Sequence, residues 1–276
     1  MHRNHRSLLV AIATAAALSL SLGTAGAATG HGHGDSAKAA KPTVVLVHGA
    51  WADGSSWSQV AQQLQKAGYT VDVPPDTLRG VTTDAQNLNA YLKTIKGPIV
   101  LAGHSYAGMV ITNAANGLSN VKALVYVDAF IPDKGDTVAK LSAAKPGSAL
   151  AVKDPSTVFN SVPIPAGNGN VDLYVKPNLF PQDFLAGYDA TKSAVLAASQ
   201  RPLAAGALNE ASGAPAWKNI PSWAVIGTAD KIIPPAGQQD MAKRAGSQVT
   251  TVDAPHLSML TNPDQVTKVI TTASNS

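Results

Sequence analysis

The sequence predicts an α/β domain built on a mainly parallel sheet, and three observations lead there. Short β-branched runs without polar alternation recur along the chain, as strands buried on both faces require. Helical patterns separate them at the spacing of βαβ units. At one strand-to-helix junction stands Gly103-His104-Ser105-Tyr106-Ala107, a tight turn of small residues around a serine.

Residues 43–47 (TVVLV) form the first such run. Residues 56–67 then read as a helix, with Val60 and Leu64 on one face and Gly68 as its stop. A second strand spans 70–73 and is closed by Pro74-Pro75. The next helix covers 84–95, opened by Thr83 or Asp84 and ended at Gly97-Pro98. Strand 99–102, helix 107–117 and strand 121–127 follow. Further on, strands 223–226 and 249–252 alternate with helices 236–245 and 263–272. Residues 130–217 break the rhythm, with prolines crowded from Pro132 to Pro181. A structureless loop of that size is not expected inside a compact sheet. The segment is therefore expected to be an inserted cap of short helices over the sheet, with 181–200 as its clearest helical stretch.

A chain of 276 residues with 45% apolar and 14% charged residues has the material for a sizeable core. Low charge and 5% aromatic content exclude a nucleic-acid module, which needs a basic stripe with stacking rings. The formal charge of +4 includes Arg3 and Arg6, which lie in an expected leader that holds no acid. The remaining surface is close to neutral and names no polyanionic partner.

The N-terminus reads as an address. His2, Arg3 and Arg6 form a basic start, 8–22 is an apolar run, and Ala25-Gly26-Ala27 supplies a small-residue cleavage site. The run is short for a membrane span, and no Arg-Arg pair marks the twin-arginine route. The expectation is a signal peptide over 1–27, a flexible linker over 28–41 and a folded domain over 42–276. Export would leave no stable membrane association. There are no cysteines, so disulfides, thiol catalysis and thiolate metal sites are excluded. His31 and His33, with Asp35 nearby, sit among glycines that fix no geometry, so they read as solvated tail rather than metal ligands.

Ser105 stands where a strand-to-helix turn would force a strained backbone, which its small neighbours tolerate. Ala107 occupies the last small position, with Gly108 just behind. The helix N-terminus beneath would favour developing negative charge. A serine needs a base. Outside the leader and linker only His48, His104 and His256 remain. His104 should point away across the turn, and His48 should structure its own loop. His256 follows the last strand and can reach Ser105 from the carboxyl edge of the sheet. Asp230 ends the penultimate strand at that edge and is the expected acid; Asp128, ending the strand after the serine helix, is the alternative. The loop His48-Gly49-Ala50-Trp51 offers backbone N–H groups, and those of Ala50 and Tyr106 should converge as an oxyanion hole.

Together, Val47-His48-Gly49-Ala50-Trp51, Gly54-Ser55-Ser56-Trp57, Gly103-His104-Ser105-Tyr106-Ala107-Gly108, Thr228-Ala229-Asp230-Lys231-Ile232-Ile233-Pro234 and Pro255-His256-Leu257-Ser258-Met259-Leu260 carry a resemblance. They are similar to the α/β-hydrolase group of plant methyl-ester esterases and hydroxynitrile lyases, with secreted bacterial esterase relatives. The resemblance covers 42 to about 272 and is weakest in the cap. It implies an α/β-hydrolase fold whose sheet has six strands, lacking the two N-terminal antiparallel strands of larger relatives. It also implies Ser105 as nucleophile, His256 as base, Asp230 as acid, and Ala50 and Tyr106 as oxyanion donors. Lyases of the group carry lysine after the histidine, and this chain has Leu257, so hydrolysis is implied over lyase chemistry.

The expected function is a secreted serine esterase acting on a small or medium, largely apolar ester through an acyl-enzyme, with no cofactor or metal. Phe130, Phe159, Tyr174, Phe180, Phe184 and Tyr188 are expected in the pocket or the core. Two alternatives are a hydrolase-fold binding protein with little turnover and a lipase or polyester hydrolase with an open groove.

Overall fold

A computed structural model describes residues 40–276. The expected signal peptide, nearly all of the expected linker, and His2, His5, His31 and His33 with them, lie outside the described residues. Strand β1 (Thr43–Val47) leads through a 3-10 turn, Gly54–Trp57, into helix α1 (Ser58–Lys66). Then come β2 (Val71–Asp72), α2 (Val81–Leu92), β3 (Ile99–His104), α3 (Ala107–Ala114) and β4 (Val121–Val127). The cap holds α4 (Val138–Ala143), β5 (Phe159–Pro163), β6 (Val171–Val175), α5 (Phe180–Phe184), α6 (Ala190–Ser199) and β7 (Leu203–Ala204). The chain returns through β8 (Ser222–Gly227), α7 (Pro235–Ala245), β9 (Gln248–Val252), α8 (Ser258–Thr261) and α9 (Pro263–Ser274).

Six strands form one parallel sheet in the order β2-β1-β3-β4-β8-β9, the α/β-hydrolase architecture that the motifs imply. Every residue of β3 and β8 is buried, which explains why these strands show no polar alternation. Helix α1 packs on α9, and α2 packs on α3. The order reverses between β1 and β3: from β1 the chain moves outward to β2, then returns to build on the other side. Loops leaving the carboxyl ends of β1 and β3 therefore diverge and open a crevice at this switch point, the place where open α/β sheets bind ligands.

Two helix starts differ from expectation. Asp53 caps the 3-10 turn by accepting the Ser55 N–H at 2.8 Å, so the α-helix proper begins at Ser58. Helix α2 begins at Val81 after Gly80, earlier than its candidate caps Thr83 and Asp84. Asp84 instead turns inward, accepting the Arg79 N–H at 3.0 Å and the Tyr106 hydroxyl at 2.8 Å. A buried carboxylate with several donors is worth more to the fold there than an exposed cap.

The cap is not helical throughout. Strands β5, β6 and β7 form a small antiparallel sheet, with Phe159 opposite Val175 and Leu173 opposite Leu203. Prolines hid this sheet from the sequence: Pro163 ends β5, which is an edge strand and tolerates a residue without an N–H. The helical stretch 181–200 divides in two around Gly187, whose φ is +82°, and Asp189 restarts it by accepting the Lys192 N–H at 2.8 Å.

Helix α3 lies so close to the segment after β4 that a Cβ on Gly108 would stand 1.9 Å from the Phe130 carbonyl oxygen. Backbone cannot yield as a flexible side chain does. Gly108→Ala is therefore expected to destabilise the protein by about 3 kcal/mol or more, or to prevent folding. Urea unfolding checks this, and a change below about 0.5 kcal/mol would contradict the close packing.

Candidate active site

The turn between β3 and α3 places Ser105 at φ +55°, in the left-handed region that side chains avoid. Its surroundings are shaped for this. A Cβ on Gly103 would meet the Ala107 carbonyl oxygen at 2.9 Å, and one on Gly49 would meet the His104 carbonyl oxygen at 2.6 Å and the Ser105 Cβ at 2.8 Å. The loop after β1 thus runs against the serine turn with no room for a side chain between them.

Ser105 Oγ lies 2.9 Å from His256 Nε2, and His256 Nδ1 lies 2.8 Å from Asp230 Oδ2. The carboxylate can only accept when ionised, so Nδ1 carries the ring proton and Nε2 is free to accept from the serine hydroxyl. Asp230 takes three further donors: Ile232 N–H at 2.7 Å and Ile233 N–H at 3.0 Å on Oδ1, and Gln238 Nε2 at 2.7 Å on Oδ2. Burial pushes the Asp230 carboxyl up, and these donors oppose that rise by favouring the anion. Burial pushes the His256 imidazole down, toward the neutral form. No local pattern in the sequence marks Gln238. It stands eight positions beyond Asp230, on the first turns of α7, and only the fold aims it back.

Asp128 stands close by but makes no bond to His256: its two oxygens accept the N–H groups of Gly227 and Ser258. Of the two candidate acids, Asp230 is the one brought to the imidazole. The other two histidines have structural partners. His104 Nε2 donates to the His256 carbonyl oxygen at 2.9 Å, and its ring lies 4.7 Å from the His256 ring. Burial, followed by the neighbouring His256, depresses its pKa and keeps it neutral. His48 Nδ1 donates to the Gly49 carbonyl oxygen at 3.0 Å, and Nε2 accepts the Asp76 N–H at 3.0 Å, stiffening the loop before Ala50.

Ala50 and Tyr106 both line the cavity onto which Ser105 opens. Their backbone N–H groups have no hydrogen-bond acceptor among the described residues. That cavity measures about 600 Å³ and lies between the sheet edge and the cap. Phe130, Phe159, Leu150, Val171 and Leu173 give it apolar walls, and no charged side chain lines it. Of the remaining cap aromatics, Phe180 and Phe184 are buried and stack at 4.5 Å, with Phe184 edge-on to His256 at 5.5 Å. Tyr174 and Tyr188 do not line this cavity. Among the described residues no group of three or more His, Asp or Glu side chains is placed to hold a metal.

Trp51 joins the loop after β1 to the cap. Its N–H donates to the Arg201 carbonyl oxygen at 2.9 Å, its indole Nε1 to the Leu173 carbonyl oxygen at 2.7 Å, and its ring stacks on Phe159 at 5.5 Å. The motif marked this tryptophan, but nothing in the sequence named partners more than a hundred residues away.

A sequence model of the alpha/beta hydrolase family matches residues 44–269. A carbendazim hydrolyzing esterase from a Nocardioides species is 36% identical over 110 residues, 35% of this chain. The match spans 46% of that relative, less than half its length. Among solved structures, an extracellular alpha/beta-hydrolase from a Paenibacillus species has a TM-score of 0.70 at 22% identity, covering 85% of this chain and 100% of that one. That protein is described as sharing structural and functional homology with tobacco salicylic acid binding protein 2. Polyneuridine aldehyde esterase has a TM-score of 0.72 at 19% identity, covering 85% and 99% respectively. At these identities the two structures establish a shared fold.

The tie between loop and cap has a measurable consequence. Trp51→Phe keeps most of the ring packing and leaves the buried Leu173 carbonyl without its donor. A loss of about 1–3 kcal/mol in unfolding free energy is expected; no change in urea midpoint would show that the bond is not holding the cap.

Proposed function

Because the chain belongs to the alpha/beta hydrolase family, we propose that it is an exported serine esterase acting on small to medium, uncharged carboxylic esters. The observation that carries this reading is the unbroken hydrogen-bonded chain from Ser105 through His256 to Asp230, at 2.9 and 2.8 Å, opening onto an apolar cavity. Ser105 Oγ attacks the ester carbonyl while His256 Nε2 takes its proton. Asp230 holds the Nδ1 tautomer and stabilises the imidazolium that forms. The N–H groups of Ala50 and Tyr106 receive the oxyanion, each worth on the order of a hundredfold to a thousandfold in rate. The imidazolium then protonates the departing alcohol. Water, deprotonated by His256, attacks the acyl-enzyme and releases the acid, returning the proton to Ser105.

The uncharged walls support a neutral ester, since a buried substrate charge would find no partner there. Leu257, where lyases of the resembling group carry lysine, supports hydrolysis over cyanide chemistry. Export, with a signal peptide over 1–27, rests on the leader's composition, and the cap within about 130–217 rests on the break in strand–helix alternation there.

Hydrolysis of a p-nitrophenyl ester series from acetate upward tests the reading. Multiple turnovers are expected, with an optimum chain length set by the cavity, and Ser105→Ala should lower kcat by about 10⁴-fold or more. Full activity in that variant would remove the mechanism, and release of a single equivalent of product would mark a binding protein.

The pH profile follows from the base. His256 must be neutral to accept the serine proton, and burial holds its pKa below the ordinary 6.5. The neutral form therefore persists as pH falls through 6.5, and the acid limb of kcat/KM is expected below that value. A limb at or above 6.5 would show that attraction of the imidazolium to Asp230 outweighs burial.

A further inference from the structure

Two separate loops carry the partners of Ser105: Asp230 follows β8, and His256 follows β9. Their bond requires the two loops to keep one relative position. We infer that Asp128 is a positioning residue that clamps these loops together, an inference that rests on the roles proposed above for Ser105, His256 and Asp230.

Asp128 follows the last residue of β4, at φ +45°, a strained conformation for a side chain. Its N–H donates to the Val225 carbonyl oxygen at 2.9 Å, prolonging the ladder with β8. Its carboxyl then bridges the two loops: Oδ1 accepts the Gly227 N–H at 2.7 Å, and Oδ2 accepts the Ser258 N–H at 3.0 Å. Gly227 closes β8, three residues before Asp230, and Ser258 opens α8, two residues after His256. The fit is close: a Cβ on Gly227 would stand 3.0 Å from Asp128 Oδ1 and 2.6 Å from the Ala254 carbonyl oxygen of the histidine loop.

The choice of residue is costly. Asp128 is fully buried, and no cation pairs with it in the ion pairs of the described residues. Burial, and then the nearby Asp230, push its carboxyl up. An apolar residue would avoid that penalty. What a carboxyl supplies at this side-chain length is two acceptor atoms, one for each loop. Asparagine offers one acceptor and one NH₂, so it would set a donor against one of the two backbone N–H groups. Asp128 makes no bond to His256, so its effect on the reaction passes through the placement of Asp230 and His256.

The experiment is a double-mutant cycle read by kcat and KM on a soluble p-nitrophenyl ester, with unfolding followed in parallel. Asp128→Asn is expected to lower kcat by about tenfold to a hundredfold, with KM within about threefold, since small misplacements of reacting groups cost this much. In an Asp230→Ala background the same substitution should cost no more than about twofold, because the contact it positions is already gone. Equal losses in both backgrounds, or a lowered Tm with unchanged kcat, would reduce Asp128 to a structural part and overturn the inference. If Asp128→Asn does not fold, Ser258→Pro repeats the test from the other end. It deletes one clamped N–H at a first helical position, where proline is accepted, and the same non-additivity with Asp230→Ala is expected. Asp230→Ala that leaves kcat unchanged would defeat the proposed mechanism itself; a slow Asp230→Ala beside a fast Asp128→Asn would defeat the positioning role alone.

Discussion

Close approach of backbone to backbone around Ser105 is the constraint on which the rest of the site depends. The turn at φ +55° exists because three neighbouring positions lack side chains, and each lacks one for a different reason. Gly49 lets the loop after β1 touch the serine turn, Gly103 lets the turn double back on α3, and Gly108 lets α3 meet the segment after β4. Packing of this kind is stiff: atoms in contact cannot shift by fractions of an ångström without a clash. Ala50 and Tyr106 are thereby held at the rim of one cavity, and the serine Oγ is held within hydrogen-bond reach of His256.

Around that turn the polar groups are buried, and burial makes each unmet hydrogen bond expensive. Asp230 answers with four donors drawn from its own loop, from α7 and from His256. Tyr106 ties the same region outward, donating its hydroxyl to Asp84 at the start of α2. The His104 bond to the carbonyl of His256 holds that residue from a second side. A network of this sort gives the imidazole a single orientation, with the low polarity of its surroundings strengthening every charge interaction formed there.

The cap contributes the other half of the cavity and is fastened at the point where it matters. Trp51 belongs to the loop that carries Ala50, yet its hydrogen bonds go to β6 and to Arg201. Placement of a ligand's distal part against the cap is therefore mechanically linked to the donors proposed to face its carbonyl oxygen. The walls are aliphatic and aromatic, so they select by shape and volume rather than by charge.

Local chemistry made much of this legible in the sequence. Largely apolar runs marked four of the six sheet strands, β1, β3, β4 and β8, because strands buried on both faces must be apolar almost throughout. Glycines and a serine at a strand end marked the turn, since few residues tolerate its backbone. Ser105, His256 and Asp230 followed from which groups lay at the carboxyl edge. Asp128 lay at that edge as well, and only the tertiary structure decided between the two acids: which carboxyl meets the imidazole depends on the path of loops whose contacts span 99 and 130 residues. The same holds for the antiparallel sheet in the cap, the inward turn of Asp84, and the bonds of Gln238 and Trp51. Periodicity and motif spacing record what a residue does for its own segment; a hydrogen bond between distant segments leaves no such local pattern, and it is set when the chain packs.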